Sequence, residues 1–248
     1  PDPQYVAYLE EGNDVGGIDT GFLVKSATVG SDVPRVEVVA VTQVGKDTTW
    51  IQPDGTPGIL NDRPPLVLDA VVHYADGRSF PITVIGVHQR SLISAEEDTA
   101  GGDRVRRKRQ AQAEFLAGYI QQRQAAAPAT RIVTLGDFNA FAFNDGLGDT
   151  MNVVGGTPTP DEQTVVPGDG IDLVDPDLVN LGELAPPACA QVTENRRGVD
   201  VGQRALGGRH VPVAQTVQDR DVPANVRAHR AQFSRRSDVG ERGGLLRG

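Results

Sequence analysis

Apolar residues recur at alternate positions over residues 36–42 (VEVVAVT), and apolar runs fill 66–74 and 80–87. The spacing predicts strands in all three segments. Between the last two lies Ala75-Asp76-Gly77-Arg78, which predicts a hairpin with its turn centred on Asp76-Gly77. Residues 17–25 (GIDTGFLVK) read as a further strand entered through a glycine turn. The clearest helical period covers 104–124, where Ala113, Leu116, Ala117 and Ile120 return at three- and four-residue spacing. A polar loop over 88–103 precedes that helix, and a Pro-containing linker over 125–130 leads from it to an apolar strand at 131–135. Beyond Asn144 turn residues dominate and predict loops, and after Pro187 neither alternation nor helical period is present. Strand, hairpin, long loop, helix and buried strand is a layered α/β order in which strands dominate.

Composition narrows the class. The chain has 248 residues, 38% hydrophobic and 23% charged, enough for one large domain with a sizeable core. No apolar run approaches the roughly 20 residues of a membrane-spanning helix, and no secretion leader is visible. Cys189 is the single cysteine, so an internal disulfide and a thiolate metal site are both excluded, and any metal needs oxygen and nitrogen ligands. The net charge of −9 is unevenly spread: residues 188–248 hold eleven arginines, no lysine, six acidic side chains and one aromatic, Phe233. An acidic body does not bind nucleic acid by bulk charge.

Three places carry candidate chemistry. Gly136-Asp137-Phe138-Asn139-Ala140 follows the apolar strand directly, and two residues apart on a strand end means the same side. A carboxylate and an amide so placed suit a phosphate site, although Asp and Asn also cap ordinary turns. His88 ends the run ITVIGV, where a histidine can carry a proton, or be merely structural. Arg63, in NDRPP, precedes a strand and could present its planar fork to a phosphate, or be solvated.

Taken in order, the segments GNDVGGIDTGFLVKS (12–26), NDRPPL (61–66), VIGVHQRSL (84–92), RRKRQAQAEFLAGYIQ (106–121) and VTLGDFNAFAFNDG (133–146) resemble the extracellular bacterial nuclease branch of the endonuclease/exonuclease/phosphatase superfamily. TPTPDEQ and DPDLVNL fit the same pattern, so the resemblance spans residues 5–187, about three quarters of the chain. It implies an α/β fold of the deoxyribonuclease-like kind, a two-layer β-sandwich flanked by helices, here incomplete. It implies hydrolysis of phosphodiesters, with nucleic acid as substrate and a divalent cation as cofactor, Mg²⁺ before Mn²⁺ or Ca²⁺. By the same resemblance Asp137 would orient or activate water and Asn139 would hold a phosphoryl oxygen. His88 would contact the scissile phosphate as a proton donor, and Arg63 would bind a substrate phosphate. Asp137 and Asn139 would also contribute to the metal site. The parent protein would be extracellular or periplasmic, and no protein partner is implied. For the cationic face of the helix (Arg104, Arg106, Arg107, Lys108) we expect a solvated outer surface rather than a DNA contact.

The chain also departs from the family. The upstream asparagine strand and the Gln-Glu segment bearing the main metal-ligand glutamate have no counterpart. Nor do the later Asp-His pair and the terminal Ser-Asp-His; Ser237-Asp238 is followed by Val239. Motif loss and the arginine-rich composition begin together near Pro187. We therefore expect residues 1–187 to be a partial domain and 188–248 a tail outside it, frameshifted or disordered, rather than a genuine basic tail for an acidic partner. Resequencing codons 184–248 tests this, since an alternative frame should restore the histidine motifs. With those groups missing, turnover by this chain is expected to be weak or nil. The readings that compete with a nuclease are a phosphatase or phospholipid phosphodiesterase of the same fold, and a non-catalytic interaction module.

Overall fold

The computed structural model describes residues 4–30, 32–166, 168, 170–181 and 216–218. Its centre is a six-stranded mixed sheet. Strands β3 (Val36–Gln43), β6 (Leu66–His73) and β7 (Ser79–His88) form an antiparallel meander, and β8 (Ile132–Asp137) lies parallel to β7. Parallel neighbours need a crossover, here supplied by helix α1 (Ala100–Ala126). Beyond β8 come β10 (Thr216–Gln218) and then β9 (Leu178–Asn180), both antiparallel to their neighbours. Two short ribbons complete the sheet structure: β1 (Tyr5–Leu9) with β2 (Gly21–Lys25), and β4 (Thr49–Ile51) with β5 (Pro57–Ile59).

Each face of the central sheet has its own cover. On one face α1 lays down Ala113, Leu116, Ala117 and Ile120, all at 1% exposure or less, against Val67, Ile85, Val87 and Ile132. Truncating one such aliphatic side chain typically costs about 2–5 kcal/mol. Helix α2 (Thr150–Gly155) adds Met151, Val153 and Val154 to the same core. On the other face the β1–β2 ribbon packs Tyr8, Phe22 and Val24 over Val36, Val38, Leu68, Ala70 and Val84. The result is a sheet layered between helices and a second, two-stranded layer, an α/β architecture of the expected kind.

Local chemistry sets the boundaries. The β6–β7 turn closes with Tyr74 N–H donating to the Arg78 carbonyl at 2.9 Å and with Gly77 at φ +85°, where glycine costs nothing. Thr99 caps α1, its hydroxyl accepting from Gly102 N–H at 3.1 Å. A register shift between Val38 and Ala40 makes Val39 a bulge in the edge strand β3.

Several expectations change. Residues after Asn144 are not all loop: α2 forms there, too short for a period to stand out among its flanking glycines and asparagines. The strands β1, β4, β5 and β9 escape the pattern because three to five residues are too few for alternation to register. The same holds for β10, in a stretch read as patternless. The rest of 182–248, where the tail and frame expectations fall, lies outside the described residues.

Candidate active site

The parallel pair β7–β8 builds the site. His88 and Asp137 are the last residues of their strands and directly opposed Cα partners. The region outside the carboxyl ends of parallel strands is where open α/β sheets bind ligands. Gly136 makes the register possible. It sits at φ +133°, and a Cβ there would stand 2.1 Å from the Val87 carbonyl oxygen. No other residue fits that approach.

His88 Nε2 lies 3.7 Å from Asp137 Oδ2, each side chain about one quarter exposed. At that separation the pair interacts through charge rather than a direct hydrogen bond. The other carboxylate oxygen of Asp137 accepts from the backbone N–H of Asn139 at 2.8 Å. Asn139 takes a left-handed conformation (φ +47°), which asparagine tolerates, and its amide donates to the Gln89 carbonyl at 2.9 Å. One amide N–H is thereby committed, and the other has no partner among the described residues.

Arg63 reaches the same carbonyl, its Nη2 donating to Gln89 at 3.3 Å. Its Nη1 lies 3.6 Å from Asp14 Oδ2, and the arginine side chain is only 10% exposed. The guanidinium is therefore set below the rim and partly neutralised by a carboxylate. Burial pushes the His88 pKa below the usual histidine range, the Arg63 charge adds to the fall, and Asp137 and Asp14 oppose it. The shift favours the neutral imidazole over the cation at neutral pH. That form accepts a proton or donates a hydrogen bond more readily than it acts as a strong acid.

The four residues singled out in the sequence, Arg63, His88, Asp137 and Asn139, are therefore brought together. Two further contributors were not singled out. Asp14 lies within the segment 12–26 but had no assigned role. Arg109, 2% exposed, donates from Nη1 to the carbonyls of Arg90 (2.8 Å) and Asn139 (2.6 Å), tying the two site loops together. Its position four residues before Ala113 on the apolar stripe was the available signal.

The expected solvated cationic face is corrected by the structure. Arg106 is buried and donates to the carbonyls of Ala95 and Glu97, and Lys108 is buried with Nζ at 2.8 and 2.9 Å from both Asp62 oxygens. Arg107 alone of the four is exposed, paired with Asp103, and Arg104 is half-buried on Gln52. The loops wrap the first half of α1, and their carbonyls and carboxylates need buried donors.

The donor set does not complete a metal centre. Among the described residues no three His, Cys, Asp or Glu side chains converge to hold an ion. Asp137 has one oxygen committed to the Asn139 N–H and the other facing His88, while Asn139, its nitrogen turned to Gln89, keeps its side-chain carbonyl oxygen as a donor to an ion. These two residues by themselves are only part of the divalent site that the resemblance implies. At the opposite ends of the same strands a cleft of about 380 Å³ is lined by Ile82, Thr83 and Arg131. It is stiffened by Arg123, Thr83 and Asp69, with Thr83 donating to Asp69 at 2.5 Å. Among the described residues no helix is long and apolar enough to cross a membrane.

No family model matches the chain, and no curated protein matches it. Solved structures with partial overlap include truncated Caenorhabditis elegans TDP2, at 13% identity and TM-score 0.40, covering 86% of this chain and 62% of that one. An endonuclease/exonuclease/phosphatase family protein from Bacteroides thetaiotaomicron overlaps at 14% identity and TM-score 0.32, covering 61% and 45%. The human Nocturnin catalytic domain with bound sulfate overlaps at 16% identity and TM-score 0.28, covering 57% and 45%. The chain thus spans less than two thirds of each of these proteins, and overlap of this depth assigns neither family nor activity.

Proposed function

We propose that the chain carries the site of a phosphodiester hydrolase of the endonuclease/exonuclease/phosphatase kind, acting on nucleic acid in a secreted parent protein. The observation that carries this reading is the opposition of His88 and Asp137 at the ends of two parallel strands, with Arg63 and Asn139 both anchored on Gln89 beside them. A phosphate seated there meets the free amide N–H of Asn139 and a neutral imidazole, with the Arg63 charge behind them. On this reading Asp137 orients the attacking water and accepts its proton as the new P–O bond forms, and the ester oxygen leaves as its P–O bond breaks, taking a proton from solvent. The family relation in the sequence adds a divalent cation, for which the described residues supply too few ligands, so no step is assigned to it. For the same reason we expect low turnover.

The test is hydrolysis of bis(4-nitrophenyl) phosphate and of an oligonucleotide by the full chain, with Mg²⁺, Mn²⁺ or Ca²⁺ and with a chelator. A slow rate that Asp137→Ala and His88→Ala each reduce at least ten-fold supports the reading, whereas rapid metal-dependent turnover would overturn the expectation of low activity. No rate and no phosphodiester binding under any condition would sink the hydrolase reading. The incomplete donor set would then favour a non-catalytic interaction module.

A further inference from the structure

The loop that follows Asp137 alternates in burial. Phe138 and Ala140 are in the core at 0% and 8% exposure, while Asp137 and Asn139 face the site, and Phe141 and Phe143 stand out at 41% and 66%. The two outer rings stack on one another, centroids 5.2 Å apart and planes 16° from parallel. The two rings in contact form a small flat apolar patch on the loop that carries Asn139. The segment is held at both ends. Asn139 is clamped through Arg109 and Gln89, and Asn144 accepts from Gly146 N–H at 2.8 Å while donating to the Gln163 carbonyl at 3.2 Å. The rings are thus presented by a fixed loop, at low ordering cost on binding.

Resting on the phosphodiester reading of the site, we infer that Phe141 and Phe143 form a stacking platform for a nucleobase, and that the substrate enters as a single strand. The contour of four residues keeps Phe143 within about 14 Å of Asn139, a span of roughly four nucleotides in a stacked strand. Within that span a base up to about four nucleotides from a seated phosphate is in range of the rings. Charge gives the second argument. With a net charge of −9 the chain offers a polyanion little long-range attraction, so contacts that salt does not screen take a larger share of the affinity. Stacking on aromatic side chains is such a contact, and it needs base faces that a duplex hides.

The test uses the full chain and a six-nucleotide single strand with phosphorothioate linkages and one 2-aminopurine, with an abasic strand and a duplex for comparison. Binding should quench the 2-aminopurine, and the base-bearing strand should bind roughly five- to hundred-fold more tightly than the abasic one, the range expected for one stacked base. Phe141→Ala/Phe143→Ala should erase both the quench and that difference. Phe141→Leu/Phe143→Leu, which keeps apolar surface without flat rings, should do the same. Equal binding of base-bearing and abasic strands by the unmodified chain overturns the platform and leaves the phosphodiester site standing. A quench that persists undiminished in both double variants also overturns it. If neither strand binds and bis(4-nitrophenyl) phosphate is not hydrolysed, the phosphodiester reading falls and takes the platform with it.

Discussion

Replacing Arg109 by methionine removes a buried cation that joins both site loops. The guanidinium, 2% exposed, holds the Arg90 carbonyl at 2.8 Å and the Asn139 carbonyl at 2.6 Å, and its Nη2 lies 3.9 Å from Asp145 Oδ2. Methionine fills most of the volume but donates nothing. Each carbonyl left buried without a donor costs roughly 1–3 kcal/mol, and Asp145, 9% exposed, is left without its counter-charge. Breaking a buried ionic cluster from one side typically costs about 3–5 kcal/mol, so we take that as the expected loss. With a urea slope of about 2 kcal/mol per molar, the unfolding midpoint should fall by about 2 M. Far-UV circular dichroism in a urea series reads this directly. Arg109→Lys should recover only part of the loss, because an ammonium lacks the planar fork that spans two acceptors. Amide exchange at residues 89–91 and 138–141 should quicken in both variants before that of β6 does. A midpoint for Arg109→Met within about 0.3 M of the parent, with unchanged exchange in both loops, would refute the clamp.

Gly136→Ala should unfold the β7–β8 junction, since the added methyl meets the Val87 carbonyl at 2.1 Å in a backbone conformation closed to alanine. The expected loss is at least about 3 kcal/mol by thermal or urea denaturation, and a stable, foldable alanine variant would contradict the register. An NMR titration of His88 should give a pKa below 6.5, lower still in Asp137→Asn and higher in Arg63→Gln, because the carboxylate raises it and the guanidinium lowers it. As this pKa is lower folded than unfolded, the His88 contribution to stability is complete above about pH 6.5. It is lost as the pH falls from there through the folded value; a stability flat from pH 7 to 5 in the parent and in His88→Gln alike would contradict this. Lys108→Met should destabilise by roughly 1–3 kcal/mol, less than a sealed pair because Asp62 stays 28% exposed. Adding Asp62→Asn should return much of it, and strict additivity of the two changes would argue against their coupling.

Long alternating or periodic segments were legible in the sequence. The β6–β7 hairpin lies where Asp76-Gly77 predicts it, and the stripe Ala113, Leu116, Ala117, Ile120 is the buried face of α1. His88 and Asp137 were legible as residues at strand ends, and the parallel pairing that opposes them follows from strand, helix and strand in succession. What the pattern hid was burial driven by hydrogen bonding. Arg106 and Lys108 belong to the run expected to be solvated, yet they and the neighbouring Arg109 satisfy carbonyls or a carboxylate from loops that come from elsewhere in the chain. A charge count along one helix says nothing about acceptors brought in from distant positions. Asp14 was hidden for the same reason, because its partner Arg63 comes from a separate segment. Phe141 and Phe143 read as part of a motif, and only their exposure separates them from Phe138.

The site draws Asp14, Arg63, His88 and Asp137 from four separate segments, and the strand bearing Asp137 joins the sheet only by way of the α1 crossover. This has a consequence for the chain as it is made. The β6–β7 hairpin pairs residues close in sequence and can form as soon as it leaves the ribosome, whereas its parallel partner must wait until the whole helix has emerged and closed a long loop. Until then Val87 and His88 are the edge of an unfinished sheet, a stretch open to pairing with other nascent chains. Slower synthesis once residues 132–137 have cleared the ribosome would lengthen the time in which that edge finds its own partner, and the yield of soluble protein should respond to codon choice downstream of that point more than in the segment encoding β3.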